Sequence, residues 1–500
     1  MNSNKIIFLL WVMPVLAWAQ LSDQTWLGGN NEFPGVAGYG HVRIQFQGGV
    51  QALQTNLAFN FESTEAAAVK PDGEILFYTN GCAISNRLHQ VMPNGWGLSP
   101  SNLQSQVCPD IGNIAPQGAM VLPMPGDTNR YFILHMAAWY DTVRKLKIGP
   151  LYATLIDMRL DNGLGDVVSK NTILKLGDFG NFTAIRHGNG RDWWILAPEF
   201  GNKRWYRWLL DPTGITAVDP YIGPDLPLCE HYAQTATSSD GSMVANWGDC
   251  YVSLWQFDRC SGNFSDRLEL HAPSHWVLGG GLAFSPSGRY LYATSHNVLF
   301  RADLEASIPK LDTMRYSYDP YNLSPYYVPG NSFHYLINGP DGKIYGCLPS
   351  RAKRFQVIDQ PDGNAINKID FKSNGIDLPV TNVRSFPYYP NYRLKTLANS
   401  PCDSLGIVAV QGPQETVDDV RCFPNPSNDR CYFRISGAAQ GQAADLYLRD
   451  SHGKLVYQLA FYADHQDVPV TLGNLSNGIY FWSVVMKNGA MYRGKVIKAE

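Results

Sequence analysis

Glu199, Glu230 and His231 have side chains suited to acid–base work, since glycoside hydrolysis needs two carboxyls across a cleft and histidine titrates near neutrality. Their positions along the chain fix no separation in space, so no catalytic residue is assigned from them. His271 and His275 stand four apart in His-Ala-Pro-Ser-His, the interval at which a helix would aim both imidazoles at one ion. Pro273 breaks that helix. Asp157, Asp161, Asn162 and Asp166 offer oxygen ligands for Ca²⁺, but the run lacks the bidentate Glu of an EF-hand loop. Asp161-Asn162-Gly163 reads equally well as a hairpin turn. Ca²⁺ is the one cofactor considered, and no metal-ligand set is assigned. The sequence contains no G-x-S-x-G elbow, no G-x-x-x-x-G-K-[ST] phosphate loop, no H-E-x-x-H helix and no G-x-G-x-x-G fingerprint. The missing motifs lean the balance away from an enzyme without excluding one, since a site can be assembled from separated loops at a channel mouth.

Aromatic clusters carry more. Trp139-Tyr140, Trp193-Trp194, and Trp205-Tyr206 with Trp208 put large rings close together. Strand alternation sends Trp193 and Trp194 to opposite faces, so at least one belongs to a core. Trp205 and Trp208 lie among Lys203, Arg204 and Arg207, a setting that suits an exposed outer strand. Trp139-Tyr140-Asp141 falls in a long excursion of the kind that carries binding residues on a rigid scaffold. Trp139, Tyr140, Trp205 and Trp208 are thus the binding candidates, able to stack on sugar rings or anchor a protein partner.

The elements that would position them repeat. A polar turn containing Gly, followed by a β-rich run, occurs at Gly73, Gly126, Gly190, Gly241, Gly288 and Gly342, at intervals of 53, 64, 51, 47 and 54 residues. Asp-Gly and Asn-Gly turns supply the positive φ that a tight hairpin demands. Four short strands every fifty or so residues is the pattern of a propeller blade, and one blade cannot bury both faces alone. The sequence predicts an all-β fold: a β-propeller of six or seven blades, seven favoured, followed by a small β-sandwich. The seventh blade is expected from strands near 43–46 and 56–61, closed against 383–392.

Composition agrees. The chain has 500 residues, 45% hydrophobic and 12% aromatic, with 46 Gly and 32 Pro. Its net charge of −3, from 40 basic and 43 acidic residues, argues against nucleic acid or an anionic membrane as partner. Lys5, the apolar run Ile6 to Leu16 and Ala17-Trp18-Ala19 make a signal peptide over residues 1–19, with cleavage between Ala19 and Gln20. No later stretch is long enough to span a bilayer. Export permits disulfides, and spacing proposes Cys82 with Cys108, Cys250 with Cys260, and Cys422 with Cys431.

The domains expected are a propeller at 20–398, a linker at 399–419 and a β-sandwich at 420–500. Within the last, Phe423-Pro424-Asn425-Pro426, Leu446-Tyr447-Leu448-Arg449-Asp450 and Leu475-Ser476-Asn477-Gly478-Ile479-Tyr480 resemble the C-terminal sorting domain of the type IX secretion system. That resemblance implies a partner, the type IX machinery reading residues 420–500. It also implies a product that is secreted, or attached to the outer surface of the outer membrane once the domain is removed. Ile75-Leu76-Phe77-Tyr78-Thr79-Asn80-Gly81-Cys82 and Tyr389-Pro390-Asn391-Tyr392-Arg393-Leu394 resemble exported propeller-like proteins bearing the same tail. The function expected is a binding scaffold for a glycan or protein ligand. The alternative is an extracellular hydrolase or lyase acting from loops at the channel mouth.

Overall fold

The computed structural model describes residues 22–199, 204–222, 234–247, 251–272, 280–295, 298–316, 333–349, 351–364, 370–403, 420–435, 443–450, 454–462, 467–487 and 491–499. The chain divides into two compact units, with the boundary between Leu405 and Gly406.

The first unit is a succession of antiparallel sheets, each built from consecutive strands. Sheet 1 has three: β1 (Thr25–Asn30), β2 (Gly40–Gln45) and β3 (Gln51–Thr55). Sheet 2 holds β4 (Ala66–Val69), β5 (Ile75–Thr79), β6 (Ala83–Asn86) and β7 (Val91–Trp96). The short helix α1 (Asn102–Val107) then leads to sheet 3: β8 (Ala119–Pro123), β9 (Arg130–Tyr140), β10 (Leu146–Asp157) and β11 (Asp166–Lys175). Sheet 4 comprises β12 (Thr183–Arg186), β13 (Trp193–Pro198), β14 (Arg204–Asp211) and β15 (Gly214–Ile222). Sheet 5 comprises β16 (Thr235–Thr237), β17 (Met243–Trp247), β18 (Tyr251–Phe257) and β19 (Phe264–His271). Sheet 6 is β20 (Leu282–Phe284), β21 (Tyr290–Ser295), β22 (Val298–Asp303) and β23 (Asp312–Tyr316). Sheet 7 is β24 (Leu336–Asn338), β25 (Ile344–Gly346), β26 (Ala352–Ile358) and β27 (Phe371–Asn382). Among the described residues, sheets 2 to 7 are six four-stranded meanders of the kind propeller blades are made from.

All six turn glycines lie between the first and second strands of sheets 2 to 7, at φ between 73° and 84°. The repeat legible in the sequence is this hairpin. The first strands of sheets 2, 3, 4 and 6 are short and almost wholly buried, as in Ala66-Ala67-Ala68-Val69, whereas those of sheets 5 and 7 are only partly so. Small side chains suit the place where sheets converge, and outer strands such as β11 and β19 are the exposed ones.

Each sheet packs its apolar face on the next. Leu27 of sheet 1 shares a core with Ala67 and Tyr78 of sheet 2. Phe77, Ile133 and Trp193 join sheets 2, 3 and 4. Trp194 and Trp205 meet Trp255 and Phe264 across sheets 4 and 5. Trp247 and Phe300 join sheets 5 and 6, and Tyr292 and Ile344 join sheets 6 and 7. Finally Tyr345, Phe355 and Ile376 of sheet 7 pack with Trp26, Val42 and Ile44 of sheet 1.

The blade expected from 43–46, 56–61 and 383–392 is built differently, as sheet 1. Residues 56–61 are not a strand, and 383–392 adds none to sheet 1. Instead that segment reaches many sheets with its side chains. The Tyr388 hydroxyl donates to Phe182 O at 2.6 Å, that of Tyr389 to Thr25 O at 2.8 Å, and that of Tyr392 to Val121 O at 2.7 Å. Those carbonyls belong to, or immediately precede, the first strands of sheets 4, 1 and 3. A chain pulled into the interior must satisfy its polar groups there, and phenols on inner-strand carbonyls do so.

The second unit has two sheets. One orders β28 (Val420–Phe423), β29 (Arg430–Ile435) and β32 (Val468–Thr471). The other orders β31 (Leu455–Tyr462), β30 (Ala443–Arg449), β33 (Gly478–Met486) and β34 (Met491–Lys498). Phe433, Leu446, Leu448, Val470, Trp482 and Val484 form their common core, as alternation in the sequence requires of a sandwich.

Two disulfides lie among the described residues. Cys82–Cys108 is the pair expected. Cys260 bonds Cys402, 142 positions away, rather than Cys250, which lies outside the described residues. The Asn399–Asp403 loop returns to sheet 5, a tertiary contact that local spacing does not reveal. Cys422 and Cys431 remain thiols, hydrogen-bonded to each other. The register sets Cys422 opposite Phe433, so the two sulfurs meet diagonally rather than as a facing pair. No described helix is long and apolar enough to cross a membrane.

Candidate functional site

Two concavities in the first unit collect the chemistry. The first, of about 300 Å³, lies between the first strands of sheets 5, 6 and 7 and the closing segment. Thr235–Ser239, Leu336–Pro340 and Tyr388–Asn391 form most of its walls, and Asp23 and Arg393 stand in it as an ion pair. Burial lifts the Asp23 carboxyl above its ordinary value, outweighing the pull of the Arg393 guanidinium. Gln234 ties the inner strands together. Its Oε1 accepts from Leu282 N at 2.9 Å and Leu336 N at 3.1 Å, while its Nε2 donates to Leu336 O at 2.5 Å. Asn391 donates to Ser239 O at 2.7 Å, holding the segment against sheet 5.

Glu65 is fully buried just before β4. Its Oε1 accepts from Leu27 N at 2.8 Å, and its second oxygen has no hydrogen-bond partner among the described residues. Burial pushes this carboxyl well above the usual range, which favours its neutral form. Burial likewise raises Tyr388, Tyr389 and Tyr392, which stay protonated donors to their carbonyls.

The second concavity, of about 480 Å³, is a groove on sheet 3. β9 and β10 are the longest paired strands of that sheet, and their hairpin carries Trp139 and Tyr140 at its end, 36% and 54% exposed. The facing wall is α1 with Pro100 and Ser101. Ser101 caps the helix by accepting from Gln104 N at 3.0 Å, and its hydroxyl donates to Ala138 O at 2.6 Å, next to Trp139. Cys82–Cys108 pins the far end of α1.

At the residue before Pro100, Ser99 Oγ meets His135 Nδ1 at 2.7 Å, and His135 Nε2 meets Thr154 Oγ1 at 2.8 Å. All three residues are buried, and Ser99 is held at φ 52°. With no water or substrate access, this chain is a strut rather than a nucleophile and base. Burial pushes the imidazole down to about 3, so it is neutral. Gly149 in β10 has φ 131°, and a Cβ there would sit 2.2 Å from Gly177 O. Only glycine fits this bulge, which leads into Pro150 on the groove wall.

The structure therefore exposes two of the four aromatic candidates and buries the other two. Trp205 and Trp208 are 1% and 3% exposed. Both lie on β14, whose two faces are covered by neighbouring sheets, so they are core and not a binding surface. Arg207 does not mark an exposed strand: it too is buried, its guanidinium donating to Gly262 O at 2.6 Å and Asp219 O at 2.7 Å. Trp193 and Trp194 take opposite faces of β13 and pack into different cores.

The remaining candidates do not converge. Asp157 accepts from Arg159 at 2.6 and 2.8 Å and from Arg130 at 3.2 Å, which occupies the oxygens considered for Ca²⁺. Asp161, Asn162 and Gly163 form a tight turn with positive φ throughout. Among the described residues no three His, Cys, Asp or Glu side chains lie close enough to hold a metal. Glu199 is half-buried at an isolated bridge to Phe179, whereas Glu230 and His231 lie outside the described residues. His271 is exposed at the end of β19 beside Glu269, and His275 is outside the described residues, as are Ala19 and Gln20. Sequence reasoning missed Asp23, Gln234 and Arg393. The one available cue was the density of Tyr, Pro and Asn at 388–392 in a run without strand alternation.

Residues 421–499 match the family model described as the secretion system C-terminal sorting domain. The chain thus carries a type IX sorting tail, which marks it as cargo that is secreted or attached to the outer surface. No curated protein matches the sequence. Among solved structures, a candidate 6-phosphogluconolactonase of Bacteroides uniformis is 12% identical, with 71% of this chain and 97% of that one covered and a TM-score of 0.44. A protein from Lactobacillus plantarum is 9% identical, with 73% and 98% covered and a TM-score of 0.47. A candidate 6-phosphogluconolactonase of Bacteroides fragilis is 12% identical, with 75% and 99% covered and a TM-score of 0.42. Similarity at this level transfers neither activity nor ligand.

Proposed function

We propose that the first unit is a seven-bladed β-propeller, delivered by its sorting tail, that acts as a binding scaffold with its ligand site in the cleft at the propeller axis. Support for the ring comes from the shared core of sheets 7 and 1, which follows the same pairwise packing as every other neighbour. The observation that carries the site is the cleft itself, where inner strands of three sheets present hydroxyls, amides and one charged pair. Such a lining takes the polar end of a glycan or of a protein loop.

A second reading, an extracellular hydrolase or lyase using the same cleft, is favoured by Asp23. A carboxyl lifted by burial and set against a guanidinium is a fit proton donor or acceptor beside a cationic group that steadies developing negative charge.

One experiment separates the readings. The full chain is applied to a glycan array and incubated with a panel of polysaccharide and ester substrates. A scaffold retains a ligand without forming product, and Arg393→Ala weakens retention at least tenfold. Product formed by the wild type and lost in Asp23→Asn establishes the second reading. Retention and turnover that ignore both substitutions remove the cleft as the site.

A further inference from the structure

The groove on sheet 3 is independent of the cleft and has its own chemistry. Every residue lining it is uncharged. Trp139 and Tyr140 supply aromatic side chains, while Asn102 and Gln106, one turn apart on α1 and both exposed, supply amides from the opposite wall. On the hairpin, Lys147 directly opposes Trp139 in register but is paired with Asp178 at 2.9 Å.

We propose that this groove is a binding site for a neutral glycan, one pyranose ring stacking on Trp139 and its hydroxyls bonding the amides of Asn102 and Gln106. A sugar presents an apolar C–H face and a rim of hydroxyls that both donate and accept. An aromatic ring beside carboxamides, each offering a donor and an acceptor, complements that pattern. A charged ligand would find no counter-ion among the lining residues.

The site is also pre-organised, which limits the ordering cost of binding. The Ser101 hydroxyl joins the two walls, Cys82–Cys108 fixes one of them, and the buried Ser99–His135–Thr154 chain ties the residue before Pro100 to β9 and β10. A groove of about 480 Å³ falls in the range of small-ligand clefts, roughly 300–1,000 Å³.

The test uses the full chain in affinity electrophoresis and calorimetry. The probes are β-1,4-glucan, β-1,4-mannan and α-1,4-glucan oligosaccharides, with polygalacturonate and heparin as acidic probes. At least one neutral oligosaccharide should bind with an affinity unchanged between 50 and 500 mM NaCl. Trp139→Ala should weaken it at least tenfold, Trp139→Phe by less, and Gln106→Ala several-fold, with melting temperatures near the wild type. Failure of all neutral probes, affinity undiminished in Trp139→Ala, or salt-sensitive binding of the acidic probes alone would overturn the assignment.

Discussion

A tryptophan's neighbours in sequence are a poor guide to its exposure when those neighbours are arginines that can reach buried carbonyls. Arg207 does so, and Trp205 and Trp208 are core, whereas Trp139 lies at a hairpin end. Trp205→Ala should therefore cost about 3–5 kcal/mol, against less than about 1 kcal/mol for Trp139→Ala, as measured by urea unfolding. Equal losses would contradict the assignment. Two buried titratable groups act in opposite senses. His135 is held neutral with its value near 3, so between about pH 6.5 and 3 the unfolded chain binds the extra proton and stability falls with falling pH, by up to about 1.4 kcal/mol per unit. His135→Asn should flatten that part of the profile, and parallel profiles would contradict it. Glu65 is raised, so its contribution is present below the unfolded carboxyl value and lost as pH rises through the folded one. Glu65→Gln should gain stability relative to wild type on going from pH 5 to pH 8; an unchanged difference would show that the carboxyl is not held neutral.

At the scale of elements, the repeat was legible because one hairpin recurs with one backbone requirement, a positive φ at Gly73 and its five counterparts. The sandwich was legible through alternation. The closing segment was not, because Tyr388 to Tyr392 form no strand and their meaning lies in carbonyls more than a hundred positions away. Cys260–Cys402 was hidden for the same reason. That bond follows the segment and ties its far end to sheet 5, while Leu397 N donates to Gly188 O in the sheet 4 turn. Closing a loop this long contributes about 4–5 kcal/mol in the chain-entropy account. A Cys260→Ser/Cys402→Ser variant should melt several degrees lower and be cleaved first within 386–403 under limited proteolysis. An unchanged melting temperature and cleavage map would show that the segment is held without its latch.

For the whole molecule, the two units divide the labour. The tail supplies the address, since residues 421–499 match a sorting domain, and the first unit carries the two concavities proposed as ligand sites. Deleting 421–499 should abolish appearance at the cell surface or in the medium, read by fractionation and immunoblot. The proposed ring, with its axis crossed by the tyrosine segment, is what brings Asp23 and Arg393 into one cleft from opposite ends of the first unit. Hydrogen exchange of the full chain read by mass spectrometry tests that most directly. Peptides covering β1, β24 and 386–394 should be protected to the same degree and lose protection together as denaturant rises. Rapid exchange of 386–394 or β1 while sheets 3 to 5 stay protected would mean that the ring is open and the cleft does not exist.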